Sequence, residues 1–335
     1  MARDIIEQNL PADNIRLHYQ YFKLFYETMY ERLQIWKRRF VDKKSFPWTE
    51  NPILRDYKFT NVYRELDRSS QWQINNIMLK EDPSDLRNYV WKVMVYRMFN
   101  SWESFQWIQD NKGWLGGIPD YQDYNEEEFY RTIKEVRANG INPFTNAYLL
   151  MSGIEPGSSR DDFYIRKGIR DLRNRIDDGM IIKIQKAETP EEIIKMLCSI
   201  TTVAAFIAHE YYQDFTYIPI YTGKQFIPFD QNDFTNVGPG ASLGIRLIFP
   251  NLKRNEQKKG IYDLRDMALV QLGKIANQHN SSVPYVHWDR KQKCYLVDGN
   301  CNITLHQIEM WLCEFSKYWK MMLKIGKQRS RYVSK

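Results

Sequence analysis

The sequence predicts a mostly α-helical fold with one small β-hairpin, and three observations carry that prediction. Apolar residues recur at three-to-four spacing over long stretches, which is the period of an amphipathic helix. Start signals of the helix N-terminus (Thr, Asn or Asp, followed by Pro or acids) stand ahead of several of those stretches. A single segment, residues 285–301, alternates in the manner of paired strands, with a turn around Arg290 to Gln292.

Taken in order, residues 14–40 set Leu17, Tyr21, Leu24, Phe25, Thr28, Leu33 and Trp36 on one face of a long helix. The stretch SFPWTENP (45–52), with two prolines, breaks it. A second helix is expected over 58–80, and Asp82-Pro83-Ser84 opens a third that runs to 100. Asn125 caps a helix whose first turn holds Glu126, Glu127 and Glu128, where the helix dipole favours negative charge. The stretch GINPF ends it. Thr189-Pro190-Glu191-Glu192 places proline at the first helical position, a strong start signal. Residues 200–212 are the most apolar and predict the central core helix, and 216–235 reads as a long ordered loop. The last helix is expected over 304–324. Without internal repeats or low-complexity tracts, residues 1–335 read as one helical domain of one lobe or two.

Composition narrows the classes. With 43% hydrophobic and 27% charged residues the chain is a globular protein, not a disordered one. No run of about eighteen apolar residues occurs, and the N-terminus lacks the apolar core of a secretory signal, so a cytoplasmic protein without a membrane span is expected. Cys198, Cys294, Cys301 and Cys313 form no C-x-x-C pair and read as buried free thiols. With five scattered histidines, neither a metal nor a cofactor is expected.

The net charge is +7, and its distribution says more than its size. From Lys317 to Lys335 there are seven cations (Lys317, Lys320, Lys324, Lys327, Arg329, Arg331, Lys335) and no acid. Beside Tyr318, Trp319 and Tyr332 they form a footprint suited to nucleic acid, with a solvated basic tail as the competing reading.

Two motifs invite chemistry. In FTNVYRELDR, a helix would gather Asn61, Arg64 and Arg68 on one face, with Glu65 and Asp67 beside them. A salt-bridged surface helix explains the same pattern, but Phe59, Tyr63 and Trp72 leave little circumference for solvent, so a pocket wall is also consistent. In NDFTNVGPGASLGIRLIF (232–249), Gly238-Pro239-Gly240 turns into a helix whose first amides (Ala241, Ser242) point at an anion, with Arg246 further along. With Val237 this resembles the hairpin of a helix-hairpin-helix element that grips a DNA phosphate. An ordinary capping turn is the commoner cause. Asp230 and Asp233 precede the turn, and His209, Glu210 and Asp214 follow an apolar helix. The sequence has no G-x-x-x-x-G-K-[ST] phosphate loop, and on that ground no kinase is expected.

Four blocks together resemble one family: PWTENPILRDYKFTNVYRELDR (47–68), FTNAY (144–148), NVGPGASLGIRL (236–247) and LHQIEMWLCEFSKY (305–318) with its basic ending GKQRSRY (326–332). The family is that of DNA base hypermodification proteins, the α-glutamyl/putrescinyl-thymine pyrophosphorylases, related to the helical domain of phage 5-hydroxymethyluracil DNA kinases. The resemblance implies a fold akin to helix-hairpin-helix DNA glycosylases and an action on modified pyrimidines in DNA. Two chemistries belong to it, excision of a modified base in antiphage defence and transfer of an amino acid or polyamine onto activated 5-hydroxymethyluracil. This chain departs from the family at Asn146, where a glycine is expected, and at Val237, Ser242 and Leu243, which removes positive charge from the hairpin. Ser242 also stands near where lyase-type glycosylases carry a lysine, which disfavours a Schiff base.

The expectation is therefore a DNA glycosylase that flips and excises a hydroxymethylated or glucosylated pyrimidine, acting as a monomer on modified DNA from phage or host. Asp67, Asp233 or Glu65 would supply the catalytic carboxylate. Asn61, Tyr63, Arg64, Arg68 and Glu210 would hold the base or its appendage. Gly238, Gly240, Ala241, Ser242, Arg246, Lys317, Lys327, Arg329 and Arg331 would hold the DNA. The transferase is the alternative, and a non-catalytic module that binds modified DNA is the third reading.

Overall fold

A computed structural model of the chain describes residues 17–145, 159–298, 303–325 and 331. Among the described residues the protein is mostly helical, with thirteen α-helices and a single two-stranded antiparallel hairpin. In chain order the helices are α1 (Tyr19–Trp36), α2 (Pro52–Asp56), α3 (Arg68–Gln73), α4 (Leu86–Phe99), α5 (Trp102–Lys112), α6 (Glu126–Ala138) and α7 (Arg170–Asp177). They continue as α8 (Met180–Gln185), α9 (Pro190–Cys198), α10 (Ala205–Thr222), α11 (Pro239–Ile248), α12 (Gln257–Gln278) and, after the strands β1 (Tyr285–Asp289) and β2 (Cys294–Asp298), α13 (Leu305–Met322). Short π-helical turns extend α1 through Lys37–Val41, follow α3 over Ile74–Met78, and precede α7 over Asp162–Ile169.

The framework divides into two compact units, Met1–Arg64 with Phe234–Lys335, and Glu65–Asp233. In the first unit, α1 buries Phe22, Phe25, Tyr26, Met29 and Leu33 against α12 and α13. The Tyr26 hydroxyl donates to the Leu264 carbonyl at 2.5 Å, and the Trp311 indole donates to the Phe25 carbonyl at 3.1 Å. The Phe25 and Phe315 rings meet edge to face at 5.5 Å. Helix α11 lies close on α13 because two glycines one turn apart admit it. A methyl at Gly244 would stand 2.5 Å from the Leu312 carbonyl oxygen, and one at Gly240 would stand 3.0 Å from Cys313 Sγ. The hairpin pairs Tyr285 with Asp298 through Asp289 with Cys294.

In the second unit, α4 has no polar face, and every residue from Tyr89 to Phe99 is buried. The caps expected from the sequence are made: Asn125 accepts from the Glu128 amide at 3.0 Å, and Thr189 from the Glu192 amide at 3.3 Å. Helix α10 is the core helix foreseen in the apolar run, but its bounds differ. Residues 200–203 form a turn, closed by Val203 N–H on the Ile200 carbonyl, and the helix continues to Thr222 through the start of the segment read as loop. Pro219 sits in its last turn, where the end of the helix tolerates it.

The helix expected over 58–80 is corrected. Residues 58–63 are not helical, Arg64–Leu66 is one tight 3₁₀ turn, and α3 starts at Arg68 with Asp67 at its N-cap. The physical reason lies in neighbouring side chains of the first unit, which satisfy this backbone without a helix. Arg32 donates to the carbonyls of Thr60 at 3.0 Å and Phe59 at 3.3 Å, Glu314 accepts from the Thr60 amide at 3.1 Å, and Lys317 donates to the Lys58 carbonyl at 2.6 Å. The thiols also differ from expectation: Cys198 is exposed, Cys294 and Cys313 are half-buried, and Cys301 lies outside the described residues.

Candidate functional site

The shared helical face of Asn61, Arg64 and Arg68 does not exist, since the backbone between them is not one helix. Asn61, Tyr63 and Arg64 are buried in the first unit, where Arg64 Nη1 approaches Met310 Sδ at 3.1 Å. Glu65, Asp67, Arg68, Glu210 and Asp233 belong to the second unit. Arg68 is exposed, with its guanidinium over the Trp102 ring at 5.5 Å. Asp233 is also exposed and closes a local turn by accepting from the Asp230 amide at 2.7 Å.

Glu65 differs from the other candidate carboxylates. It is only 9% exposed, and its Oε2 accepts no hydrogen bond. Burial pushes its carboxyl up to about 7, and the nearby charge of Asp67 adds to the rise. Its backbone contact and the Tyr217 hydroxyl pull the other way. The 3₁₀ turn is tied by Gln71, whose amide donates to the Glu65 carbonyl at 2.6 Å. A carboxyl raised toward neutrality by burial, with one buried oxygen that accepts no hydrogen bond, has two attributes of a general base.

Tyr217 belongs to a polar strip on α10. Glu210, Asp214 and Tyr217 follow one another at i, i+4 and i+7, so they share a face. From α4, Arg97 grips Asp214 with two hydrogen bonds (2.7 and 2.5 Å), binds Gln73 at 2.9 Å and lies 3.8 Å from Glu210. Arg97, Asp214 and Glu210 are all nearly inaccessible. Such a fork on a buried carboxylate fixes both partners in one geometry. Arg97 and Gln73 went unnoticed in the sequence. The available signal was a cation inside an otherwise apolar helix, since buried charges need partners.

At the start of α11, Gly238 is the N-cap and Pro239 the first helical residue, and residues 223–238 before it carry no helix. Gly240 and Ala241 face Cys313, so the glycine there is explained by packing. The Glu309 carboxylate stands 3.8 Å from where a Gly238 Cβ would be, a negative charge where a DNA phosphate was expected. Ser242 and Arg246 are half-buried along the helix. Of the basic ending, Lys317 is engaged by Lys58 O and Glu314, while exposed Arg331 donates to the Tyr57 hydroxyl at 3.2 Å. Lys327 and Arg329 lie outside the described residues. Among the described residues no cluster of His, Cys, Asp or Glu is placed to hold a metal ion, and no helix is long and apolar enough to cross a membrane.

Comparison with known proteins adds the family. The family model described as "5-hmdU DNA kinase, helical domain" matches residues 19–328. The chain is similar to the 5-hmdU DNA kinase of Bacillus phage SP10, with 24% identity over 324 residues that cover 93% of this chain and 48% of that protein. It thus spans about half the length of that relative. No solved structure matches. The expectation of an N-glycosylase, a hydrolase that flips and excises its base, is overturned by these matches. A kinase transfers a group to its substrate and leaves the bond between base and sugar intact. The transferase alternative is the closer of the two.

Proposed function

The chain belongs to the family of 5-hmdU DNA kinase helical domains, and on that premise we propose that it acts on DNA containing 5-hydroxymethyluracil, in group transfer at the 5-hydroxymethyl arm of that base. The observation that supports this most is the buried Glu65 carboxyl, shifted to about 7 and with no hydrogen-bond partner at its buried Oε2. Group transfer onto a hydroxymethyl oxygen releases its proton, and transfer from an amine onto the activated carbon releases a proton from nitrogen. One carboxylate serves either case as acceptor, and a value near the working pH balances occupancy of the basic form against its strength. Burial keeps that value high, and the charge of Asp67, two residues on, adds to it. The α10 strip, held by the Arg97 fork, fixes Tyr217 beside the carboxyl. In this reading the protein works in the cytoplasm as a monomer, and the phosphoryl or amine donor comes from outside the residues named here.

The test incubates the protein with duplexes carrying thymine, 5-hydroxymethyluracil or its pyrophosphorylated form, with a nucleoside triphosphate or an amine as donor. Nucleosides and bases are then weighed by mass spectrometry. A heavier nucleoside, with no base set free, is expected on the hydroxymethylated or activated duplex only. Glu65→Gln should lower the rate by about 100-fold or more, the usual scale of a lost general base. In the wild type, the rate should rise with pH through about 7 and level off above it, because the deprotonated carboxylate is the active form. Unchanged nucleosides with every donor would sink the proposal.

A further inference from the structure

In the first unit, α1 passes into the π-helical turn Lys37–Val41, and the loop beyond it gathers charge and rings on the surface. Residues 37–44, KRRFVDKK, hold five cations and one acid. Two of the cations are neutralised, Lys37 by Asp42 at 2.9 Å and Arg38 by Glu31 at 2.7 Å. Among the described residues no carboxylate pairs with Arg39, Lys43 or Lys44. The Arg39 guanidinium lies 4.7 Å from the centroids of both the Phe40 and the Trp48 rings. Phe40 is 44% and Phe46 46% exposed, although burying a phenyl ring is worth roughly 1.5–3 kcal/mol.

The loop is also fixed in place. The Asp42 and Lys44 amides donate to the carbonyls of Lys37 and Arg38 at 2.9 and 2.8 Å. The Trp48 indole donates to the Lys44 carbonyl at 2.8 Å, and Arg38 donates to the Trp48 carbonyl at 2.6 Å. A ligand that binds here therefore spends little free energy on ordering the loop.

Resting on the reading that DNA is the substrate, we infer that Arg39, Phe40, Lys43, Lys44, Phe46 and Trp48 form a contact surface for a single strand of DNA. Unpaired cations interleaved with exposed rings match the way unpaired strands are held: phosphates on the cations, bases on the ring faces. In an intact duplex the bases are stacked on one another and have no face to offer Phe40 or Phe46. Arg39, stacked between two rings, keeps the edge of its guanidinium for a phosphate. A cleft of about 560 Å³ beside the loop is lined by Lys44 and Trp48 of this surface together with Glu27, Glu31 and Glu50, of which Glu31 is paired with Arg38.

The test is fluorescence anisotropy with a labelled single strand and its duplex, each with thymine or 5-hydroxymethyluracil, across a salt series. Arg39→Glu/Lys43→Glu/Lys44→Glu should weaken single-strand binding by about 100-fold or more at low salt. It should also reduce the slope of log affinity against log salt by about 2, as loss of three phosphate contacts requires. Phe40→Ala/Phe46→Ala should weaken it about tenfold with the slope unchanged. An equal charge reversal at exposed Lys183, Lys186 and Lys195 controls for net charge, and thermal melts check that each variant folds. Variants that bind as the wild type does, or a surface that prefers anionic lipid vesicles to the oligonucleotide, would overturn the inference. The nucleoside assay separates the two claims. Base modification with unaltered strand binding in the variants removes this surface alone. Loss of strand binding in the variants of a protein that modifies no base removes the proposed activity alone.

Discussion

Glu65 carries a cost that can be measured apart from activity. Its carboxyl titrates at about 7 in the folded protein and at 4.5 when unperturbed, so between those values the folded state holds a proton that the unfolded chain has lost. Stability therefore falls as pH rises through that window and stays lower above it, by about 3 kcal/mol for a shift of this size. Glu65→Gln, which has no charge to bury, should melt higher than the wild type at pH 8 and nearly level with it at pH 4.5. A wild-type melting temperature that does not fall between pH 4.5 and 7 relative to Glu65→Gln would show the carboxyl to be solvated. At this scale the sequence was partly legible. Glu65 and Asp67 stood out as carboxylates beside apolar residues, but only burial separates Glu65 from Asp233, which is exposed in a turn of its own making.

Among the elements, the two glycines of α11 and the one at 273 in α12 make a controlled comparison. A methyl at Gly244 meets the Leu312 carbonyl at 2.5 Å, backbone that cannot move aside without parting α11 from α13. At Gly273 it meets nothing within 4 Å. Gly244→Ala should cost about 2 kcal/mol or more through overpacking, while Gly273→Ala should add up to about 1 kcal/mol of helix propensity. Chemical denaturation of both variants checks the pair, and equal effects would mean the helices slide apart freely. The same region shows where reading failed and why. Caps at Asn125 and Thr189 were legible because a side chain bonds an amide three residues on, a local event. Gly240 and Gly244 let α11 approach α13, and since a missing Cβ admits a helix as readily as an anion, the sequence alone does not tell the two apart at Gly240. The non-helical course of residues 58–63 was illegible for a related reason: Arg32 and Glu314, distant in sequence, take the place of helical hydrogen bonds.

For the whole molecule, the mostly helical class followed from periodicity alone, and the chemistry did not. A family resemblance pointed to modified DNA, but excision and transfer use the same visible parts, and it is the match to the helical domain of 5-hmdU DNA kinases that tells against excision. The first unit is built from both ends of the chain, with Glu65–Asp233 between them. A protease site placed at exposed residues 223–225 should therefore yield two fragments that elute together in buffer and separate in urea, because α1 remains packed on α12 and α13. Fragments that part in buffer would show those contacts too weak to hold the unit. The same topology sets a clock during synthesis. Phe25 and Trp311, which share a hydrogen bond, are 286 residues apart. At about 5–20 residues per second, a ribosome takes roughly 15–60 s to supply the second after the first. Until α11, α12 and α13 emerge, the apolar side of α1 lacks the helices it packs on, while residues 65–233 are complete before any of the three and able to collapse on themselves. A nascent chain halted at Asp233 lacks α11, α12 and α13, the helices on which α1 buries Phe25 and Met29, however well its middle has folded.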